Sequence, residues 1–566
     1  MRIPLLLFFL MIPLSVHSQL HPVDTAWVES TLNRMSVEDK VGHLIMPAHQ
    51  SMEESERNVR EYHVGGLWFA KAKAPEIARQ LNQLQRIAPY GLLVAVDFEK
   101  GAGTHVDGGI DLPGAMALAA SGDPAAAYEA AAITAEEARA LGVHIDFAPV
   151  VDVNDNPMNP VINVRSFGED PARVAEFGAA AVRGYQDHGL LATLKHYPGH
   201  GNTAVDSHAD LARVAGSMDK IERTELLPYR VIIGRDHPAA VMVSHLWLPA
   251  LDVDPTPATF SRNAVQRVLR DRLGFDGLVC TDAMVMGAIA KHAGPGEAAI
   301  RTIMAGVDLV VWPESVRAAY DSLLAAVQDG RISRERLDAS VRRILRAKSQ
   351  GGVRQGYSVD ESALGRTLRA PRNLERARNL AASCITLVND ERTILPLHPA
   401  ARTLLLTLDN QAGQALMSRT SVTFPAEVQK RSTDVSVFDV PDTLTPDVIA
   451  KILEEAERSE TVIVSAYVRI FMASGTVDLP PAQRDLLTRL VRTNPRVVLV
   501  SFGSPYAGGT IPGLSTYVCA YDNAEVLQEA AARALFGEIP VHGKLPVSIS
   551  AEFPLGTGLD REAVSR

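Results

Sequence analysis

The sequence predicts an α/β protein, a (β/α)8 TIM-like barrel followed by a smaller parallel α/β sandwich domain. Three observations carry this. Eight short apolar runs alternate with helical patterns between about residues 40 and 313. Polar side chains recur at the ends of those runs. Beyond a polar, arginine-rich interruption, a second series of five apolar runs begins. Buried parallel strands read as continuous apolar stretches rather than alternations, and eight of them separated by helices suit a closed barrel. An open doubly wound sheet is the alternative under the same rhythm.

The eight runs are Val41–Met46, Val64–Ala70, Leu92–Glu99, Val143–Val153, Leu190–Tyr197, Ala239–Leu248, Gly277–Met284 and Val307–Pro313. Stretches such as DPAAAYEAAAITAEEARAL between them are rich in Ala and Glu at helical spacing. The polar residues at the run ends are Asp97 and Glu99, Asp146 and Asp152, Lys195 and His196, Ser244 and His245, and Asp282. In a barrel these ends share one face, so a single polar pocket explains them together. The later runs are Cys384–Asn389, Thr403–Leu408, Thr461–Val468, Arg496–Gly503 and Thr516–Tyr521. The expected division is a leader over 1–18, a barrel over 22–350, a linker and helix over 351–380, and a sandwich over 381–556.

At 566 residues the chain is too long for one ordinary domain. A formal charge of −10 leaves no basic footprint for nucleic acid. The N-terminus MRIPLLLFFLMIPLSVHSQ sets Arg2 before an apolar run and small residues at Val16 and Ser18. This is the layout of a secretory signal peptide cleaved after Ser18, and it predicts an exported protein, periplasmic or secreted. The run is shorter than the roughly 20 residues a membrane anchor needs, and no later segment qualifies, so no stable membrane insertion is expected. Cys280, Cys384 and Cys519 lie far apart in apolar stretches and read as buried thiols, although export would permit a pair.

The stretch LKHYPGHGNTAVDSHADL (194–211) has no helix or strand period and concentrates three imidazoles. Residues two apart in a looped segment point the same way. Asp206 can therefore hold one ring nitrogen of His208 and leave the other to exchange a proton. The competing reading is a metal site of His196, His200 and His208, but that spacing matches no familiar zinc pattern. His200, deep in the Pro-Gly turn, is expected to brace the loop. Asp282 follows an apolar strand and precedes a helical pattern, a place for a nucleophile at the barrel mouth or for a helix N-cap. Lys195 would ease the cost of an anionic Asp282.

LKHYPGHG…DSH, followed by VSHLWLPALDVDPTPATFSR and LGFDGLVCTDAMVMGAI, closely resembles glycoside hydrolase family 3, in its β-N-acetylglucosaminidase branch. AVDFE, NVRSFGEDP and GKLPVSIS resemble further family elements, so the likeness runs in order from about residue 24 to 550. The resemblance implies a retaining exo-β-N-acetylhexosaminidase acting on carbohydrate with terminal β-linked GlcNAc, with no cofactor and no metal. It makes Asp282 the nucleophile, His208 the acid/base and Asp206 its dyad partner. Asp97, Arg165, Lys195 and His196 then hydrogen-bond the terminal sugar. One departure stands out: the branch has D-x-E-G-G-R where this chain has Asp97-Phe98-Glu99-Lys100-Gly101-Ala102. An arginine contact to the sugar is therefore expected to be missing, which leaves open a β-glucosidase of the same family. A catalytically silent sugar-binding barrel is a third reading. In the second domain Glu525 lies on an expected loop, and no clear rival acid stands beside the DSH dyad.

Overall fold

The computed structural model describes residues 19–410, 422–441, 443–470 and 477–564. The expected signal peptide therefore lies outside the described residues. Among the described residues, no helix is long and apolar enough to cross a membrane.

Each of the eight apolar runs contributes a parallel strand: β1 (Ile45–Met46), β2 (Gly66–Trp68), β3 (Leu93–Val96), β4 (Ile145–Asp146), β5 (Leu191–Tyr197), β6 (Ala240–Val243), β7 (Leu278–Thr281) and β8 (Val310–Val311). Ladders join β2 through β7 in chain order, and β1 pairs with β8. Bridges from Ala48 to Trp68 and from Cys280 to Leu309 supply the two remaining contacts. Every strand thus has two parallel neighbours and the ring closes, which excludes the open sheet.

Two runs are trimmed for local reasons. Val41–His43 end a helix (Val37–His43) that a capping box between Ser36 and Asp39 starts, so only the tail of that run extends. The fourth run keeps a two-residue ladder, because Pro149 has no N–H to donate. It continues as extended chain whose Ala148 and Pro149 carbonyls accept from Thr193 and Lys195.

The second domain is a six-stranded sheet. Its strands are β9 (Thr386–Asp390), β10 (Thr403–Asp409), β11 (Val435–Asp439), β12 (Thr461–Tyr467), β13 (Val497–Ser501) and β14 (Thr516–Cys519). Their order is β9-β14-β13-β12-β10-β11. Two features correct the sequence expectation. The strand β11 is additional, and β9 runs antiparallel to β14, making the sheet mixed. An antiparallel edge strand on an otherwise parallel sheet is a common arrangement. The edge strand β11 is half-exposed and lacks the apolar run that marks the central strands.

Between the domains, helix Pro371–Cys384 lies against the barrel, where Arg372 and Arg376 pair with Glu136. One continuous apolar core runs from barrel to second domain. Cys280, Cys384 and Cys519 are all buried free thiols, as expected.

Candidate active site

The C-terminal ends of the barrel strands bring the polar residues together. From the end of β3, Asp97 and Glu99 project beside Lys195 of β5. Lys195 Nζ lies 2.7 Å from Asp97 Oδ1 and 2.7 Å from Glu99 Oε1. Arg165 grips Glu99 with two parallel bonds, Nε at 2.9 Å and Nη2 at 2.6 Å, a fork that fixes both planes. Trp68 Nε1 donates to Asp97 Oδ2 at 2.7 Å. Burial opposes the charge on Glu99, but Arg165 and Lys195 hold its carboxyl well below the usual range. Lys195 is likewise penalised by burial, yet Asp97 and Glu99 outweigh that and raise its pKa. The cluster is two cations locked against two carboxylates.

Asp152 forms a second node. Its Oδ2 accepts the His196 backbone N–H at 3.2 Å and Nδ1–H at 2.7 Å, while Oδ1 accepts the His200 N–H at 2.6 Å. With the proton on Nδ1, His196 Nε2 is left to accept from Arg165 Nη2 at 3.3 Å. His200 pairs with Thr203 Oγ1 and Ser207 Oγ at 2.6 and 2.9 Å, and burial brings its pKa down to about 4. It braces the loop, as the sequence led us to expect.

Asp282 stands immediately after β7. Its N–H donates to Val243 O at 2.9 Å, and its Oδ1 accepts the Ala283 N–H at 2.8 Å. Helix Gly287–Ala290 starts five residues on and is preceded by Met286, so Asp282 is not its N-cap. Burial would raise the Asp282 carboxyl. The imidazoles of His196, His245 and His208, with the Ala283 N–H, overcome this and hold it below its ordinary value. A half-buried carboxylate kept anionic among imidazoles has the exposure and the charge that a nucleophile needs.

The loop after β5 carries the dyad. Gly201 passes so close to Val153 O that a Cβ would lie 1.8 Å from it, and this pins the turn. Asp206 Oδ1 accepts the His208 N–H at 2.8 Å and its Nδ1–H at 2.7 Å. The His208 side chain is 27% exposed, against 5% for Asp206, and its Nε2 has no hydrogen-bond partner among the described residues. His208 O accepts the Gly287 N–H at 3.0 Å, docking the loop on the segment that follows Asp282. The three imidazoles of the metal reading are thus engaged separately, by Asp152, by Thr203 and Ser207, and by Asp206. No metal-ligating group of three or more His, Cys, Asp or Glu side chains occurs among the described residues.

The glycosyl hydrolase family 3 N-terminal domain profile matches residues 36–347, and the corresponding C-terminal domain profile matches residues 385–556. The chain belongs to glycoside hydrolase family 3. It is 32% identical to a beta-N-acetylglucosaminidase/beta-glucosidase of Cellulomonas fimi, over 92% of this chain and 95% of that one. It is 30% identical to beta-hexosaminidase A of Pseudoalteromonas piscicida, over 87% and 90%. The solved structure of a family 3 beta-N-acetylglucosaminidase from Paenibacillus sp. str. FPU-7 superposes with a TM-score of 0.83 at 35% identity, covering 91% of this chain and 99% of that one.

All seven residues picked from the family 3 motifs (Asp97, Arg165, Lys195, His196, Asp206, His208 and Asp282) converge on this one face. Sequence reasoning left four neighbours without a role: Glu99, Asp152, His245 and Trp68. Glu99 and Asp152 were visible as polar ends of apolar runs, and only the fold shows them as anchors for Arg165 and His196. Lys100, the residue at which the motif after β3 departs from the expected D-x-E-G-G-R, turns away to Asp522 of the second domain at 2.8 Å and to Asp111 at 3.0 Å. Glu525 begins helix Glu525–Leu535 instead of lying in a loop.

Proposed function

We propose that the protein is an exo-acting retaining β-N-acetylhexosaminidase, removing terminal β-linked GlcNAc from cell-wall fragments, chitooligosaccharides or glycans. The observation that carries this is the pairing of an anionic Asp282 with an Asp206-oriented imidazole in one pocket. An oxocarbenium-like transition state needs a carboxylate beneath the sugar and a proton donor at the leaving oxygen. Asp282 attacks the anomeric carbon and forms a glycosyl-enzyme. His208 Nε2 protonates the leaving group, then takes a proton from the water that releases the sugar. Asp206 fixes the tautomer and stabilises the imidazolium that forms. Asp97, Lys195, Arg165 and His196 grip the terminal sugar from the rigid side of the pocket.

The family's retaining chemistry and the names of the relatives support this reading. A β-glucosidase is the second reading, favoured by the altered Lys100 motif and by the double name of the Cellulomonas relative. Comparing nitrophenol release from aryl β-GlcNAc and aryl β-glucoside decides between them, and release from neither overturns both. We also propose export after cleavage at Ser18. An intact Met1 on the native protein, read by mass spectrometry, would count against it.

A further inference from the structure

The loop between β4 and the helix Pro171–Asp187 carries two anchors of the site: Asp152, which holds His196 and His200, and Arg165, which grips Glu99. Its two arms are stitched together. The Asn154 N–H donates to Gly168 O at 2.9 Å, and Ser166 Oγ donates to Asp152 O at 2.6 Å. The second domain seizes the same loop at three points. Glu169 takes both donors of Ser548, with Oε2 accepting its N–H at 2.8 Å and Oε1 its hydroxyl at 2.6 Å. The Glu169 N–H donates to Pro546 O at 3.2 Å. Asn154 Nδ2 donates to Tyr506 OH at 3.1 Å. Gly168 has a φ of +137° and lies so near Pro546 O that a Cβ would fall 2.4 Å from it, so the approach requires glycine there.

We propose that the second domain is a positioning element for the sugar site, and that Glu169 with Ser548 is its latch. Glu169 is four residues from Arg165 and sits at the far end of the stitched loop. Two charge-assisted bonds from a single serine define its direction as well as its distance. Release of the latch removes the two strongest bonds between the second domain and the Arg165 arm, leaving Arg165 to the Glu99 fork, Val161 O at 3.1 Å and His196 Nε2 at 3.3 Å. A displacement of about 1 Å in a positioning group can cost up to about a hundredfold in rate. The proposal rests on the reading above in one respect, that Arg165 binds the sugar.

Arg165 holds the sugar in the ground state and the transition state alike, so loosening it acts on KM more than on kcat. In the full-length chain, Glu169→Ala should raise KM for the aryl glycoside that wild type cleaves by roughly tenfold. The change in kcat should stay within about threefold. Glu169→Gln keeps one acceptor and should recover most of that loss. Ser548→Ala keeps the backbone donor and should do less harm than Glu169→Ala. Hydrogen exchange gives a readout independent of activity: amides of 152–170 should exchange about tenfold faster in Glu169→Ala at a temperature where it is folded. If Glu169→Ala lowers only the melting temperature, with KM and exchange in that loop unchanged, the latch is structural and the proposal falls. If wild type cleaves neither aryl glycoside, the proposed function fails, while the exchange experiment still decides the latch.

Discussion

Two lysines are buried inside this barrel, one at each end, under opposite conditions. Lys195, 2% exposed at the mouth, touches two carboxylates and keeps its charge. Lys348, fully buried in the last turn of the helix Arg334–Gln350, has only neutral hydrogen-bond partners among the described residues, His43 Nε2 at 3.0 Å and Gly91 O at 2.7 Å. Those residues precede β1 and β3, so Lys348 sits beneath the strands, at the end away from the site. Burial brings its pKa down to about 7, and the same burial pushes His43 and His144 well below their usual values. Under the proposed function the reaction develops charge at the mouth, where electrostatic preorganisation needs fixed partners of the kind these pairs supply. At the base the buried carboxylate before β8, Asp308, is taken up by Arg270, Arg336 and Arg343, and Lys348 is left with neutral partners.

The most severe way to break the mouth is Asp282→Asn. The side chains are isosteric, so the denaturation midpoint should stay near wild type while kcat/KM falls by about 10^4-fold or more. A 2-fluoro sugar should label Asp282 in the wild type, and a label on another carboxylate would overturn the assignment. Next comes His208→Ala, expected to cost about 10^2 to 10^4-fold on GlcNAc-sugar linkages. It should cost far less on nitrophenyl glycosides, whose leaving group departs without a proton. Deglycosylation then becomes limiting, and a nitrophenol burst should appear. Equal slowing of both substrates without a burst would make the loop a sugar binder only.

Lys195→Met tests the charge pairing itself. It leaves Asp97 beside Glu99 with the Trp68 N–H but no cation of its own, so urea unfolding should show a loss of about 2–3 kcal/mol. A loss no larger than that of an exposed lysine would mean the cluster is not a locked unit. The smallest effect has the opposite sign. Between pH 7 and about 10.4 the unfolded chain keeps a proton on Lys348 that the folded chain has shed, so this residue makes stability rise with pH across that window. Lys348→Met should flatten this slope and stabilise the protein by about 1–2 kcal/mol near pH 7, after the loss of its two hydrogen bonds. An unchanged slope would show that the amine stays charged.

The same contrast explains what could be read from the sequence. The barrel was legible because both faces of its strands are buried, which leaves runs such as Leu93–Val96 with no polar residue to confuse the period. The edge strand Val435–Asp439 was not, since half-exposed positions dilute the apolar signal. The antiparallel β9 was hidden for another reason: direction is set by its partner Thr516–Cys519, more than a hundred residues away. Within the site, the Asp206–His208 dyad is local and its spacing gives it away. The Glu99–Arg165 and Asp152–His196 pairs join different strands and loops, so no local spacing could announce them.

Closure of the barrel also bears on how the chain acquires its structure during synthesis. Ile45 pairs with Val310, about 265 positions later. At translation speeds of about 5–20 residues per second, the first strand waits on the order of ten seconds to a minute for the partner that covers its open side. Until then the nascent half-ring exposes an unpaired, apolar edge of the kind that invites aggregation. Any growth condition that slows elongation between these two strands lengthens that exposure, so soluble yield should depend on codon choice in this interval more than in the stretch encoding the second domain.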